Sequence, residues 1–527
     1  MAEDDAARLA EENAALRAEI ARLRSSLRYR GADILADARS ARGAAAAPGR
    51  LYGLAREARQ SWAWRSVVLS LECGLPDDPL RALPAPPPDE CRALLRMARG
   101  GRMRREAGTK SGAAAAERAA ELRSTLSAGF GLPPSRPLSG AVRTVAYVAH
   151  AGLPNTSNGY AVRTHALVRA LNEAGLRTSV WLRGGRAGEA DVVDGVAYRR
   201  LGLPDRQGTY RAVVQDYADA LTAQLRDQRP DLIHAASNHV TGHASAHAAA
   251  ALDVPLAYEV RGLWEVTRLS TEPSYEQALG YRFQRGAELA AAKAAALVLA
   301  NGEPIADLLA RGGVWRGKLR LLPNGCDAGR TILPAPGDRE RARQRLGLAD
   351  LPVIGFVGSV TAYEGLNEVV AASARVGGCQ LLVVGDGPDL PGLRAMSEQA
   401  GVRAIFTGRL SPGEAAAAYE AIDVAPIVRP RSPVAALVPP LKPIEAMAAG
   451  VAVILSDLPP LRALAGEGRA KLVPPGDPDA LAAALKVLVH DPDARRRQAE
   501  RALAWVRAER SWNRIAHRLV EAYAGAR

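Results

Sequence analysis

Two long stretches of the chain alternate short apolar runs with segments in which apolar residues recur at helical spacing. In residues 141–332 the apolar runs include VRTVAYVAH at 142–150, DLIHAAS at 231–237 and PLAYEV at 255–260. Each run has the length and composition of a buried strand, and helical patterns lie between the runs. Strands that alternate with helices predict a parallel sheet covered on both faces, so we expect a Rossmann-like domain here.

The same alternation begins again after the Pro- and Gly-containing segment LPAPGD at 333–338. Buried strands are predicted at PVIGFVG, QLLVVGD, AIFTG, DVAPIV and VAVILSD, with AKLVPPGD as a further one. Residues 333–505 are therefore predicted to form a second Rossmann-like domain, and a helical segment is predicted at 506–527. The predicted fold class is α/β.

A short helix is predicted inside LVPPLKPIEAMAAG at 437–450, directly before a buried strand. Pro443 can open a helix because its missing N–H would be unpaired in the first turn anyway, and Gly450 is a typical residue after a helix end. Glu445 lies in the first turn, and Lys442 precedes it. The N–H groups of such a turn either receive an ordinary cap or meet an anion, and both interpretations fit the segment by itself.

Residues 1–30 are predicted to form a coiled coil. Apolar residues and one asparagine alternate at spacings of four and three from Leu9 to Leu27, as in the seam of a two-stranded coil. Asn13 occupies a seam position, where a buried amide favours a parallel dimer in one register. We therefore predict a homodimer through residues 2–28. The alternative is a single amphipathic helix that packs on its own chain.

Residues 31–140 are predicted to be a helical extension that ends in the linker GLPPSRPLSG at 131–140. Two tryptophans in QSWAWRSVVLSLEC at 60–73 and a basic run at 91–110 predict a peripheral membrane contact through 60–110. A core or partner helix and a solvated basic face are the alternatives.

Composition and charge argue against several classes of protein. The formal net charge is +13, but the basic run carries no interleaved aromatic residues, so we expect no nucleic acid as a partner. The four cysteines are far apart and form no metal-type pair, which favours a reducing compartment. The sequence contains no uncharged apolar run of about 18 residues, so no transmembrane helix is predicted. We expect a cytoplasmic protein that is at most peripheral at the inner face of the membrane.

An ordered set of motifs carries a resemblance to a known family. The motifs are LLPNGCD at 321–327, FVGSVTAYEGL at 356–366, VVGDGP at 383–388, FTGRL at 406–410, PIEAMAAGVAVILSD at 443–457 and LVPPGDPDAL at 472–481. Together they resemble the GT-B fold retaining glycosyltransferases of family 4. This resemblance implies that the two domains face each other across a central cleft and that the helix at 506–527 packs back on the first domain. The segments YEGL, PLKPIEAM and YEVRGLWE resemble a subgroup found near bacterial exopolysaccharide loci.

The resemblance implies a nucleotide-sugar donor in the second domain, a hydroxyl acceptor that enters from the first domain, and transfer with retained configuration. Glu445 would accept hydrogen bonds from the ribose hydroxyls, since a carboxylate has only acceptors. No metal and no cofactor are expected. The residues implied in donor binding are Gly358, Ser359, Glu364, Gly365, Gly385, Gly387, Arg409, Leu410, Arg429 and Arg431.

The chain departs from the commoner family pattern in ways that bear on catalysis. Ser359 and Glu364 stand where the family usually has two cations beside the diphosphate. Leu437 replaces a glutamate, and Arg261 replaces a histidine at the end of PLAYEV. Loss of two cations beside a leaving diphosphate weakens transition-state stabilisation unless others replace them. The candidate replacements are Lys442, Arg429, Arg431 and Arg261, whereas a solvent-exposed loop is the alternative for the arginines of VRPRSP.

We predict Arg261, Lys442 and Glu445 as catalytic residues. Asn158 and Gly159, in a loop before a helix N-terminus, are candidates for an acceptor or phosphate loop. His234, near a strand end, is a further candidate, with a structural role as its alternative. The competing functions are a nucleotide-sugar epimerase or phosphorylase on the same fold, and a non-catalytic sugar-binding scaffold.

Overall fold

The structure is a computed structural model that describes residues 119–156, 158–203, 208–270, 272–327 and 337–525. The predicted coiled coil at 1–30, its dimer contact at 2–28, the membrane contact at 60–110 and the extension up to residue 118 lie outside the described residues. Among the described residues, 119–124 and 277–280 belong to one compact unit, in which 119–124 are helical. The other residues belong to a second compact unit that holds both sheets.

The first sheet is built from strands within residues 144–321, and helices lie between them. The strands are β1 (Thr144–Ala149), β2 (Arg177–Leu182), β3 (Ala190–Val193), β4 (Val196–Arg200), β5 (Leu232–Ala236), β6 (Leu256–Val260), β7 (Leu297–Ala300) and β8 (Leu319–Leu321). The helices are α1 (Gly159–Glu173), α2 (Tyr210–Arg226), α3 (His239–Leu252), α4 (Trp264–Leu269), α5 (Leu279–Ala294) and α6 (Glu303–Arg311).

Strand order in the first sheet is β3-β4-β2-β1-β5-β6-β7-β8. All neighbours are parallel except β3 and β4, which form an antiparallel hairpin. This hairpin was not predicted, although Asp194-Gly195 between two strands is a strong hairpin signal, and both residues have positive φ. The strand order reverses at β1, which has β2 on one side and β5 on the other. The ligand crevice of this sheet is therefore expected at the carboxyl ends of β1 and β5.

The second sheet contains only parallel neighbours, and helices again connect its strands. The strands are β9 (Val353–Val357), β10 (Gln380–Val384), β11 (Ala404–Gly408), β12 (Val424–Ile427), β13 (Ala452–Ser456) and β14 (Lys471–Val473). The helices are α7 (Asp338–Arg345), α8 (Leu366–Val376), α9 (Leu390–Gln399), α10 (Pro412–Ala418), α11 (Pro433–Leu437), α12 (Lys442–Ala448), α13 (Pro459–Ala465), α14 (Pro478–His490), α15 (Pro492–Glu509) and α16 (Trp512–Tyr523).

Strand order in the second sheet is β11-β10-β9-β12-β13-β14. The order reverses at β9, which has β10 on one side and β12 on the other, so the ligand crevice is expected at the carboxyl ends of β9 and β12. The prediction of two Rossmann-like parallel sheets is confirmed. Helices α7, α11, α13 and α14 and the β3–β4 hairpin were not predicted.

The last helix, α16, packs with the first sheet. Trp512, Ile515, Leu519 and Tyr523 are buried in the same apolar cluster as β1 and α1. Burial of such large side chains accounts for the attachment, since each contributes about 1.5–3 kcal/mol when fully removed from water. Within the described ranges, no helix is both long enough and apolar enough to cross a membrane.

Candidate active site

Helix α12 lies where the sequence predicts it, at the carboxyl edge of the second sheet. Pro439 and Pro440 precede the helix, Pro443 lies in its first turn, and Gly450 follows its end with a φ of 69°. Strand β13 begins directly afterwards. The helix therefore presents its N-terminal turn, with Lys442 and Glu445, to the crevice beside β12.

Lys442 and Arg429 converge on the buried carboxylate of Glu364. Lys442 Nζ donates to Glu364 Oε1 at 2.7 Å, and Arg429 Nη2 donates to the same oxygen at 3.2 Å. Glu364 is 3% exposed. Burial alone would raise the pKa of this carboxyl, but the two cations outweigh burial and the pKa is lowered. We call these three residues the cation triad, and it carries a formal charge of +1 at neutral pH.

The cation triad lies against the glycine turn that follows β9. A Cβ atom on Gly358 would lie 2.2 Å from Lys442 Cε, so the lysine side chain crosses the turn where only glycine leaves room. Gly365, with a φ of 70°, is packed against the backbone of β12's carboxyl end, since a Cβ there would lie 1.9 Å from Val428 O. Ser359 is exposed between them. Glycine thus leaves room for the lysine side chain to pass close to the backbone of the turn.

Glu445 lies further along α12 and interacts with Tyr419. Burial raises the pKa of the Tyr419 hydroxyl, and the nearby Glu445, through its charge and a side-chain hydrogen bond, raises it further. A narrow cavity beside this pair is lined by Phe356, Tyr419, Lys442 and Ala446, among others. Glu445 is half-buried. Tyr419 therefore orients a carboxylate that still reaches the crevice.

The other predicted donor residues are spread along the same sheet edge. Gly385 and Gly387 follow β10, and Gly385 donates from its N–H to Gly408 O at 2.9 Å. Arg409 is exposed and Leu410 half-buried after β11, which is separated from β9 by β10. Arg431 is exposed in the loop before α11. The described contacts do not join Arg409, Leu410 or Arg431 to the cation triad.

A second charged cluster lies inside the first sheet, centred on Glu259 of β6. This carboxylate is fully buried. Arg163 donates to Glu259 Oε1 from Nη2 at 2.7 Å, and Arg261 donates to Oε2 from Nη2 at 3.0 Å. Tyr147 donates its hydroxyl to Oε2 at 2.5 Å. Burial favours the neutral acid, but the two guanidinium groups outweigh it and hold the pKa of Glu259 well below its usual range.

His234 connects this cluster to α16. Its Nε2 lies 3.2 Å from Glu259 Oε2, and its Nδ1 lies 2.5 Å from the Tyr523 hydroxyl. The ring is fully buried, and burial lowers its pKa. The neutral ring donates to the carboxylate and accepts from the tyrosine. His234 thus lies behind the sheet edge, within the core.

Arg261 is the member of the cluster at the sheet edge. Its Nη1 donates to Tyr160 O at 3.0 Å and to Thr164 Oγ1 at 2.8 Å, and its guanidinium lies 4.4 Å from the centre of the Tyr160 ring. It is 6% exposed. Asn158 and Gly159 come just before Tyr160, and the Asn158 side chain accepts from Ala161 N as the cap of α1. Arg261 is thereby held in one position beside the loop.

The segment 433–442 of the second domain contacts the first domain. Asn324 Nδ2 donates to Pro439 O at 3.0 Å, and Arg429 Nη1 donates to Val438 O at 3.3 Å. Leu437 and Val438 pack on the apolar core of the first sheet. Leu437, which stands at a family carboxylate position, therefore contributes an apolar contact with the first domain.

Two family models match this chain in succession. A glycosyl transferase 4-like domain matches residues 158–325, and a glycosyl transferases group 1 domain matches 338–505. The first match covers β2 to β8 of the first sheet, and the second match covers the whole second sheet. This chain belongs to the GT-B glycosyltransferases of family 4.

Two relatives and one solved structure are similar to this chain. The chain is 35% identical over 22% of its length to a 2-deoxystreptamine glucosyltransferase of Streptomyces kanamyceticus, of which 32% is covered. It is 28% identical over 53% of its length to a GDP-mannose-dependent alpha-mannosyltransferase of Corynebacterium glutamicum, of which 65% is covered. The chain thus spans less than two thirds of either relative. Sucrose-phosphate synthase of Thermosynechococcus elongatus has the same fold, with a TM-score of 0.61 and 22% identity over 73% of this chain and 98% of that one.

In this member of the family, several residues of the candidate site were not predicted. Tyr419 gave no signal, because a tyrosine at a helix end is commonplace. Glu259 and Arg163, by contrast, could have been found from the sequence. Each places a charge among the apolar residues of a buried strand or of a buried helix face. Opposite charges on two such elements indicate a buried ion pair.

Glu288 of α5 leads to a prediction on pH. It is 3% exposed and accepts from the Tyr258 hydroxyl at 2.7 Å. Burial raises its pKa to about 8, above the usual 4.5, so the folded protein holds a proton that the unfolded chain releases. Stability is therefore full at low pH and falls as pH rises between these two values, by at most about 1.4 kcal/mol per pH unit.

We expect Glu288→Gln to remove this pH slope, because the amide mimics the protonated acid. Unfolding by denaturant would be followed from pH 5.5 to pH 8 in the wild type and the variant. Glu398→Gln, at an exposed position on α9, makes the same charge change and should keep the wild-type slope. Equal slopes for all three proteins would show that Glu288 titrates normally.

Proposed function

We propose that the protein is a retaining glycosyltransferase that moves a sugar from a nucleoside-diphosphate sugar to a hydroxyl acceptor. The observation that carries the proposal is the cation triad over the glycine turn, at the switch point of the second sheet. A diphosphate at this turn would meet Lys442 and the N-terminal N–H groups of α8. Lys442 and Arg429 thus supply the charge that Ser359 and Glu364 do not.

In the proposed reaction the bond between the anomeric carbon and the diphosphate oxygen breaks, and its electron pair leaves with the diphosphate. The acceptor hydroxyl forms the new bond on the same face and gives its proton to the leaving diphosphate. Lys442 would stabilise the charge that develops on the leaving oxygens. Glu445 would hold the ribose, and Arg261 would lie on the acceptor side.

The relatives suggest the donor class and the biological setting. One is named as GDP-mannose-dependent and another as a glucosyltransferase, so GDP-mannose and UDP-glucose are the first donors to test. We propose synthesis of a cell-surface polysaccharide or glycoconjugate as the setting. The coiled-coil homodimer and the membrane contact remain predictions.

We expect Glu445→Gln to weaken binding of the nucleotide-sugar by about 10–100-fold, since hydrogen bonds to a charged acceptor are each worth about 1.5–3 kcal/mol. Calorimetric titration with the donor that binds the wild type would measure the change. Glu500→Gln, at an exposed position on α15, is the matched control and should bind as the wild type does.

Product analysis with and without acceptor separates the rival functions. Transfer with retained configuration supports the proposal. An altered sugar nucleotide would indicate an epimerase. Donor binding without transfer or hydrolysis would indicate a non-catalytic scaffold and overturn the proposal.

A further inference from the structure

Three aromatic rings lie together at the carboxyl edge of the first sheet. His150 follows β1, Tyr160 lies in the first turn of α1, and Trp264 is the first residue of α4. The ring centres of His150 and Tyr160 are 4.0 Å apart, and those of His150 and Trp264 are 5.8 Å apart at an angle of 86°. We call these three residues the ring cluster. Different elements thus bring three rings to one place.

The ring cluster is open to solvent, unlike most large aromatic residues of this fold. Trp264 is 37% exposed and His150 is exposed, whereas Trp181 and Trp512 are 1% and 4% exposed. A single exposed tryptophan is ordinary. Here, however, the exposed tryptophan belongs to a ring cluster that also holds a fixed cation, because Arg261 lies over Tyr160 and is held there by Glu259.

The ring cluster also lies beside the second domain. Helix α4 packs against α11, and Val438 is the nearest side chain to Gly262, two residues before Trp264. The carbonyl of Val438 in turn accepts from Arg429 of the cation triad. Trp264 and the proposed diphosphate site are therefore linked through one short segment. An acceptor on the rings would lie on the side of the cleft that faces the donor.

The chemistry of the ring cluster favours a sugar. The C–H groups on one face of a pyranose carry partial positive charge and pack on the negative face of an aromatic ring. Imidazole nitrogens at His150 and a buried guanidinium nearby suit hydroxyl groups. A lipid tail would instead need a continuous apolar groove, and here the imidazole of His150 adjoins the tryptophan and a guanidinium lies over Tyr160.

We propose that the acceptor hydroxyl belongs to a carbohydrate whose pyranose ring stacks on Trp264 within the ring cluster. This inference rests on the proposed function. It adds the substrate class of the acceptor and the residue that selects it.

The test is binding of simple glycosides to the full-length protein without turnover. Methyl α- and β-glycosides of glucose, mannose and galactose would be titrated in the presence of GDP or UDP, with saturation-transfer NMR as the readout. We expect at least one glycoside to bind, and Trp264→Ala to weaken it by about tenfold, as expected for loss of one aromatic stack. Trp264→Phe should retain most of the affinity.

Trp315→Ala is the matched control. Trp315 is 73% exposed and precedes the amino end of β8, whereas the ring cluster lies at the carboxyl edge of the sheet. Nucleotide affinity and thermal melting check that each variant is folded. The inference is overturned if no glycoside binds, if Trp264→Ala binds the glycoside as the wild type does, or if octanol binds in its place through Trp264. Because the assay needs no transfer, its outcome is independent of whether the protein proves to be a glycosyltransferase.

Discussion

Lys442→Ala is expected to lower kcat/KM for sugar transfer by about 10²–10³-fold, the usual effect of removing one group that stabilises a developing negative charge. Lys442 crosses the glycine turn at Gly358 and is the cation closest to that backbone. Its replacement leaves Glu364 with only Arg429, so the remaining charge of the triad falls from +1 to zero. Steady-state kinetics with the donor identified by titration would measure the effect.

A double variant separates catalysis from structural pairing. In Lys442→Met with Glu364→Gln, the carboxylate that the lysine neutralises is also gone, and the triad keeps the wild-type charge of +1 on Arg429. If Lys442 acts on the diphosphate, this double variant stays as inactive as the single one. Recovery of activity would show that Lys442 only neutralises Glu364. Lys486→Ala, at an exposed position on α14, controls for the change in net charge.

Glu259→Gln is expected to cause the largest loss of stability, about 3–5 kcal/mol in the free energy of unfolding of the first domain. The amide keeps the shape of the side chain but leaves Arg163 and Arg261, both buried, without their counter-charge. Such a charge cannot be solvated, and removal of one partner from a buried pair is therefore strongly destabilising. Denaturant unfolding, monitored in the wild type and the variant, gives the difference.

The pH dependence of this effect has a definite sign. The folded-state pKa of Glu259 is depressed, so its stabilisation is present above the unfolded value and is lost as pH falls through the folded value. The difference between wild type and variant should thus be constant near neutral pH and shrink as pH falls below the usual value of 4.5. Glu272→Gln breaks the exposed pair with Arg268 and should change stability by no more than about 1 kcal/mol. A similarly small change for Glu259→Gln would contradict the prediction.

Sequence patterns predict most of the elements that position the site. Periodicity alone predicts both parallel sheets, because a strand buried on both faces must be apolar throughout and a covering helix must be apolar at helical spacing. The start of α12 follows from Pro443 and its end from Gly450, since both residues act on the local backbone. The β3–β4 hairpin was missed because its exposed, mixed pattern differs from that of the buried strands.

The pairing of charges required the tertiary structure. Glu364 is 78 residues from Lys442 and 65 residues from Arg429, and no local pattern relates them. The family resemblance predicted Glu364 as a donor-binding residue that stands in the place of a cation. The structure shows it instead as the buried anion that holds two other cations in place.

By itself, the sequence determined the two α/β domains, the short helix at the edge of the second sheet and the family resemblance, because these depend on local periodicity and on contiguous motifs. Only the tertiary structure decided which charges meet, why Leu437 lies against the first domain, and how three aromatic rings gather beside Arg261. The physical reason is that strand order and register, which arise from packing of the whole chain, bring these distant residues within contact distance.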